Sequence, residues 1–256
     1  MADRPGHAAG LCCVYDGKRA QWGRPARKET DMTDGQTGLE QFTEVETGEA
    51  FTIQNQHLVK VELSSTTVLA RSGAMVAYQG DVHFEHKGGG MGRLLKKAAT
   101  GESLRLMTAA GSGELFLANR AMLVHVIRLD KEELTVNGSN ILAFEEGIEW
   151  DIKRVKGGAA GMLASGLFNV HLRGTGQVAL CSDGIPVKLS VSEAATFADP
   201  QAAIAWSGGV VTNLKADMQA KSLIGLGSGE SIQIGFSGDG WVLIQPSEGR
   251  HVLTPG

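Results

Sequence analysis

Chemistry in this chain would have to come from a few histidines, three cysteines and its glycine-rich stretches. His83 and His86 flank Glu85 in Val82-His-Phe-Glu-His86 and invite a metal reading, because imidazole and carboxylate are zinc ligands. An extended chain points successive side chains to opposite faces, so positions 83 and 86 diverge unless the strand ends between them. A solvated strand end is the simpler account. His125 in Val124-His-Val126 and His171 between Val170 and Leu172 fall in the outward phase of an apolar alternation. Neither comes with a Ser or Cys in a recognisable nucleophile elbow, so a hydrolase or metal-dependent enzyme is the third-ranked reading. Cys12 and Cys13 are adjacent and Cys181 stands alone, which gives neither a disulfide framework nor a CxxC metal pair.

Two kinds of glycine-rich stretch remain. Gly111-Ser-Gly113, Gly174-Thr-Gly176 and Gly238-Asp-Gly240 each sit between two alternating runs rather than ahead of a helix, and none has the Gly-Lys-Ser/Thr ending of a phosphate loop. They read as hairpin turns. Gly88-Gly-Gly-Met-Gly-Arg-Leu-Leu-Lys-Lys97 joins glycine to a short cationic amphipathic turn in which Arg93, Lys96 and Lys97 accompany Met91 and Leu94. Such a turn suits contact with an anionic surface, or is simply an exposed connection. No catalytic residue, cofactor or metal is expected from these groups.

The elements that must carry them repeat. Gly113, Gly176 and Gly240 recur with a period of about 63 residues. In the same frame, turns at Ser65, Asn137-Gly138 and Pro200 precede Ala70, Ala143 and Ala205, and each reads as a hairpin. Short runs rich in Val, Ile, Leu and Thr, punctuated by Gly, Asn and Asp, predict an all-β chain. The first repeat has one extra residue before its Gly-x-Gly, which calls for a β-bulge near Thr108–Ala110 to keep the apolar face inward. The chain begins and ends in mid-repeat. A pseudo-threefold ring, closed by packing the strands around Trp241–Gln245 beside those of residues 42–63, would leave no edge exposed.

Three short helical or Gly-rich linkers join the halves, at residues 88–99, 157–166 and 216–227, and their equivalence places them on one face. Their apolar and small residues, Met91, Leu94, Gly157, Gly161, Met162, Leu163, Leu223 and Ile224, are the candidate contacts with a partner or membrane surface. The Gly157-x-x-x-Gly161 spacing would let a helical segment pack closely on another helix. Residues 1–38 lack an apolar period and read as a disordered, weakly basic extension. Residues 39–248 read as one β-rich repeat domain, and 249–256 as a tail.

Composition narrows the function classes. A chain of 256 residues, 42% hydrophobic and 20% charged, can bury a large core. A formal charge of −4 with 5% aromatics offers neither the basic excess nor the stacking surface that nucleic acid needs, so nucleic acid is an unlikely partner. No run approaches the 18 or so apolar residues of a spanning helix. The cysteine pattern fits a reducing compartment, and the chain is read as cytoplasmic, peripheral at a membrane at most.

The ordered succession of Arg71-Ser-Gly-Ala-Met-Val-Ala-Tyr78, Gly101-Glu-Ser-Leu104, Gly111-Ser-Gly-Glu-Leu-Phe-Leu-Ala118, Ile141-Leu-Ala-Phe144, Gly166-Leu-Phe168 and Val242-Leu-Ile-Gln245 resembles the altered inheritance of mitochondria protein 24 family over residues 39–248. The resemblance implies β-sandwich modules like those of the trp RNA-binding attenuation protein. A mitochondrial relative suggests a role in inner-membrane organisation and in holding a membrane complex together. The family has no catalytic motif, so no residue inherits a role. The leading expectation is a non-enzymatic scaffold or binding module that engages a protein partner, its own copies or a membrane surface. Nucleic-acid binding by fold analogy is the alternative.

An unpacked extension buries no area, so deleting the residues ahead of Met32 is expected to leave the thermal midpoint within about 1 °C of the full chain. A drop of several degrees in a melting curve would show the extension docked.

Overall fold

Alternation of apolar and polar residues, with Gly and Asn at the breaks, produces strands and turns almost throughout. The computed structural model describes residues 38–64, 66–85, 104–154, 168–216 and 232–247. Two units divide the chain, Met1–Thr43 and Glu44–Gly256. The described part of the first is an exposed 3-10 turn at Glu40–Phe42. The second holds β1 (Phe51–Asn55), β2 (Leu58–Glu62), β3 (Val68–Arg71), β4 (Met75–Glu85), β5 (Leu106–Leu117), β6 (Leu123–Asn137), β7 (Ile141–Glu145) and β8 (Glu149–Arg154). It continues with β9 (Phe168–Ser182), β10 (Val187–Ser190), β11 (Thr196–Ala198), β12 (Ala203–Ser207), β13 (Val210–Ala216), β14 (Ile232–Gly238) and β15 (Trp241–Ile244). The all-β expectation holds for the described residues.

Twelve strands form one sheet whose path runs β1-β2-β5-β3-β7-β9-β6-β12-β15-β10, with β4 added on β5 and β8 on β9; β11-β14-β13 form a second sheet. One pattern recurs along this path. Two strands joined by a turn flank a third that arrives later in the chain, β2 and β3 around β5 and β6 and β7 around β9; β10 and β12 likewise flank β15, although β11 of the second sheet lies between them in the chain. The connections at Asn137-Gly138 and Pro200 are therefore not the hairpins expected there, and Ser65 lies outside the described residues. β9 takes the hydrogen bonds between β6 and β7, as β5 does between β2 and β3, and Pro200 joins β11 of the second sheet to β12 of the first.

The Gly-x-Gly elements also differ from expectation. Gly111–Gly113 lies inside β5 and Gly174–Gly176 inside β9, while Gly238–Gly240 joins β14 to β15. Each is a kink in a strand that continues, not a turn that reverses it. Gly111, Gly174 and Gly238 have φ of +132°, +131° and +105°, a region that side chains with a Cβ rarely enter. The kink lets one strand change partners. β5 pairs with β3 before it and β2 after it. β9 pairs with β8 before it and β7 after it, and the β14–β15 segment passes from one sheet to the other.

Two further expectations are corrected. The β4–β5 ladder runs in register from Ala77↔Phe116 to Glu85↔Thr108, so there is no bulge at Thr108–Ala110; the irregularity falls between Met75 and Ala77. The closing contact of the ring is also not the observed pairing. β15 lies between β12 and β10, β1 pairs with β2, and the path ends at β1 and β10.

Three apolar clusters fill the interior. One centres on Val59, Val61, Leu115 and Leu117, a second on Phe144, Val170, Leu172 and Leu180, and a third on Trp206, Ile234, Phe236 and Val242. Ala70, Ala143 and Ala205 are fully buried in β3, β7 and β12. Polar side chains stitch the turns together. Arg71 donates from Nε to the Ile141 carbonyl at 3.0 Å and from Nη2 to the Gly138 carbonyl. Asn137 Nδ2 donates to the Pro200 carbonyl at 3.1 Å, and Asn140 Nδ2 to the Cys181 carbonyl at 2.9 Å. Buried amides satisfied this way fix one relative placement of the turns, since breaking a bond strands a desolvated group.

The kinks give a direct test. A Cβ at Gly111 would come 2.1 Å from the Asp81 carbonyl oxygen, which is backbone and cannot swing away, whereas a Cβ at Gly147 meets nothing within 4 Å. Gly111→Ala is expected to cost about 2–4 kcal/mol in chemical denaturation, and Gly147→Ala less than about 0.5 kcal/mol. Equal costs would show that the kink is not constrained.

Candidate functional site

Four adjacent strands, β8, β9, β6 and β12, present one polar face. The pleat decides which residues share it. Asp151, His171 and Thr135 stand opposite one another in adjacent strands, and Thr135 is paired in turn with Trp206. One step along lie Glu149, Arg173 and Glu133, and one step the other way Lys153, Asn169 and Asn137. The reverse face of these strands carries Val170, Leu172, Leu134 and Val136 into the core, so the fold fixes the polar row rigidly. Val210 and Thr212 of β13 border the row, and these groups, Asn137 apart, line an open cleft of about 980 Å³.

Within the cleft His171 is the central group. Its Nδ1 lies 3.0 Å from Thr135 Oγ1 and its Nε2 3.6 Å from Glu133 Oε2. Burial pushes the imidazole below the ordinary histidine range, Lys153 and Arg173 push the same way, and Glu133 and Asp151 oppose them. The ring is therefore held towards its neutral form. Arg173 is engaged with Glu149, 2.6 Å from Nη2 to Oε2, in an exposed pair. Asn169 is 9% exposed. Sequence alternation put His171 outward, and it does leave the core face. What the pattern missed is the cleft, because β6, β12 and β13 reach it from distant parts of the chain.

A second cluster surrounds Lys60. Its side chain is 3% exposed, and Nζ lies 2.5 Å from Glu46, 2.7 Å from Glu114 and 3.3 Å from Glu44. The three carboxylates approach within 4.8 Å of one another, the spacing of a cation site, and the Lys60 ammonium fills the space between them. Burial alone would lower the lysine. The hydrogen bonds to Glu114, Glu46 and Glu44 outweigh it and hold the group above its ordinary 10.5. The segment supplying Glu44 and Glu46 is further held by a two-way amide bond, Val45 N–H to Gln54 Oε1 and Gln54 Nε2 to the Val45 carbonyl, both 2.8 Å. This is a structural clasp rather than a reactive site.

A serine does stand beside a histidine. His125 Nε2 is 2.7 Å from Ser182 Oγ, and the Ser182 hydroxyl donates to the Gly184 carbonyl at 2.7 Å. With its one proton committed there, Ser182 accepts from the ring. Ser182 is completely buried, so no substrate reaches its oxygen, and the pair is a packing feature. Burial holds His125 low and pushes the Cys181 thiol up to about 12, which leaves that sulfur unreactive. His83 is exposed on β4, 3.5 Å from Asp81. His86 lies outside the described residues.

The candidate contact residues Met91, Arg93, Leu94, Lys96, Lys97, Gly157, Gly161, Met162, Leu163, Leu223 and Ile224 also lie outside the described residues. The strand ends that carry them are described. Glu85 pairs with Thr108, Arg154 with Phe168 and Ala216 with Ile232. Each linker thus connects the paired ends of a two-stranded unit: β4 with β5, β8 with β9, β13 with β14. Among the described residues no helix is long and apolar enough to cross a membrane.

Residues 51–247 match the model of a family described as Mitochondrial biogenesis AIM24. A crystal structure of a Streptococcus pyogenes protein, a structural-genomics target, is similar at 23% identity and a TM-score of 0.62, covering 77% of this chain and 92% of that one. At that identity the likeness concerns the fold. No curated protein matches the chain.

The clasp makes a signed prediction. Glu114→Gln leaves the buried ammonium short of a counter-charge and is expected to cost about 1–3 kcal/mol. Lys60→Met leaves Glu44, Glu46 and Glu114 facing one another without their shared cation and should cost more. The contribution of a raised lysine is complete at neutral pH and fades as pH climbs through its folded value, so the difference between wild type and Lys60→Met should shrink only in strong alkali. Urea denaturation across pH checks both, and a Lys60→Met cheaper than Glu114→Gln would overturn the ordering.

Proposed function

This chain belongs to the AIM24 family, and from that premise we propose that it is a non-enzymatic scaffold or binding module. It holds a protein partner, its own copies or a membrane surface through the three connections that cap β4–β5, β8–β9 and β13–β14. The observation that carries the reading is the shared placement of those connections at the paired ends of two-stranded units. Each is rich in small and apolar residues in sequence, and such residues bury area on contact. The family description, mitochondrial biogenesis, agrees with a role in supporting a membrane-associated or protein complex.

The same reading takes the chain as three repeats of attenuation-protein-like β modules in a pseudo-threefold arrangement. What supports it is the flanking pattern found three times along the sheet path, with a Gly-x-Gly at the matching place each time. A scaffold of this kind works by rigidity. The paired strands fix the ends that the three connections join, and a partner touching more than one connection gains from effective concentration without new contacts. A cytoplasmic location, peripheral at a membrane, follows from this proposal.

Met162→Asp removes apolar contact and adds a charge at the β8–β9 connection. As an interface residue its mutant stays folded and loses self-association in sedimentation, or recovery with membranes on a density gradient. A monomer that instead loses several kcal/mol of stability would make Met162 a plug of its own module and count against the proposal.

A further inference from the structure

The two ends of the long sheet are finished differently. At β1 the Phe51 N–H, which turns away from β2, donates to Gln177 Oε1 at 3.0 Å in a buried bond. At β10, the other end, β15 takes one edge, and among the described residues no strand pairs with the other. Every residue of β10 is exposed. Ile185, Val187 and Leu189 alternate along this segment as exposed large apolar side chains. Leu189 also lines an open hollow of about 360 Å³ with Phe197, Ile244 and Pro246. An unpaired apolar edge is a template for another strand.

The ladder settles which groups face outward. Val191 N–H donates to the Gly240 carbonyl at 2.9 Å, and the same register sets Leu189 against Val242 and Val187 against Ile244. Bonded and non-bonded pairs alternate in an antiparallel ladder, so Val187 and Leu189 bond to β15. Lys188 and Ser190 therefore turn N–H and C=O to the open edge. A second, antiparallel β10 meets them when a twofold axis passes through Leu189: Lys188 of each copy exchanges both bonds with Ser190 of the other. That register also puts the two Leu189 side chains face to face, with Val187 of both copies on the same side. A slip of one residue would put the apolar side chains of the two copies on opposite faces. An axis through Lys188 would oppose two like charges and set Pro186, which has no N–H, against Ser190. Lys188 Nζ instead lies 5.5 Å from the Trp241 ring centre, over its own chain. Bond direction, apolar phase and charge thus agree on one arrangement, and only a second copy supplies it. We infer that β10 is a dimerisation edge, paired with β10 of a second copy about a twofold axis through Leu189. A twofold contact closes on itself, so addition stops at two chains. This edge is independent of the three connections.

The test uses the full chain. Sedimentation of the wild type shows a concentration-dependent dimer. Cross-linking then reads the register, in a chain carrying Cys12→Ser and Cys13→Ser, with Cys181 buried. Facing residues of a non-bonded pair lie about 4.5 Å apart at Cα, within disulfide range, so Leu189→Cys forms an intermolecular disulfide under mild oxidation. Lys188→Cys, offset from its counterpart, does so about tenfold more slowly. Ser190→Pro removes an outward N–H and spares the β15 ladder, a change edge strands tolerate. It weakens the dimer about tenfold, with the fold checked by circular dichroism. Met162→Asp leaves the Leu189→Cys cross-link intact, which separates this edge from the connections. The inference is overturned by a monomer at every concentration, by Lys188→Cys cross-linking as fast as Leu189→Cys, or by a folded Ser190→Pro that dimerises as wild type. A chain that dimerises only after removal of residues 248–256 would give the edge to that segment and overturn it as well.

Discussion

A β-strand has only two hydrogen-bonding edges, and the architecture of this protein follows from how three of its strands exceed that limit. β9 needs β6, β7 and β8, and it obtains all three by keeping β6 along one edge while the other edge passes from β8 to β7. The change of partner demands a bend that ordinary residues resist, and Gly174 and Gly176 supply it at φ of +131° and +149°. β5 does the same between β3 and β2, and β14–β15 does it between two sheets. Backbone hydrogen bonds left open at the bend would be costly in a buried position, so the kink also fixes where each flanking strand must stop.

From that arrangement follows the division of the surface. The strands that flank a kinked strand bury their alanines and branched side chains, which leaves β4, β8 and β13 as the outer members, each bordered by a connection. One face of β8 and β9 belongs to the core and the other can be polar. Where β6 and β12 extend that second face, the polar row becomes the floor of a cleft instead of open surface. Rigid strands behind it hold His171, Asn169 and Thr135 at fixed spacing, which a loop-built site of the same composition would not.

Buried polar groups specify the rest. Lys60 sits at the middle position of an alternating run, Leu58-Val-Lys-Val-Glu62, and yet is 2% exposed. Three carboxylates from two distant parts of the chain close over it, and the gain is specificity of placement for the Glu44–Glu46 segment more than stability, since desolvating the ammonium consumes much of the attraction. Asn137, Asn140 and Gln245 act alike between turns that are far apart in sequence.

The sequence by itself determined the strand class, the position of the kinks and the recurrence of one frame. Those rest on local properties: side-chain alternation, the positive φ that only glycine takes easily, and spacing along one chain. Tertiary structure alone decided that Gly174–Gly176 bends a strand rather than reversing it, that β6 and β7 part to admit β9, and that β15 lies between β12 and β10 instead of meeting the N-terminal hairpin. It also decided that Lys60 is buried and that Asn169 and His171 share a cleft with Trp206. Each of these depends on which strand takes an open edge, and edges are satisfied by backbone groups that are the same for every residue, so no side-chain pattern records the choice.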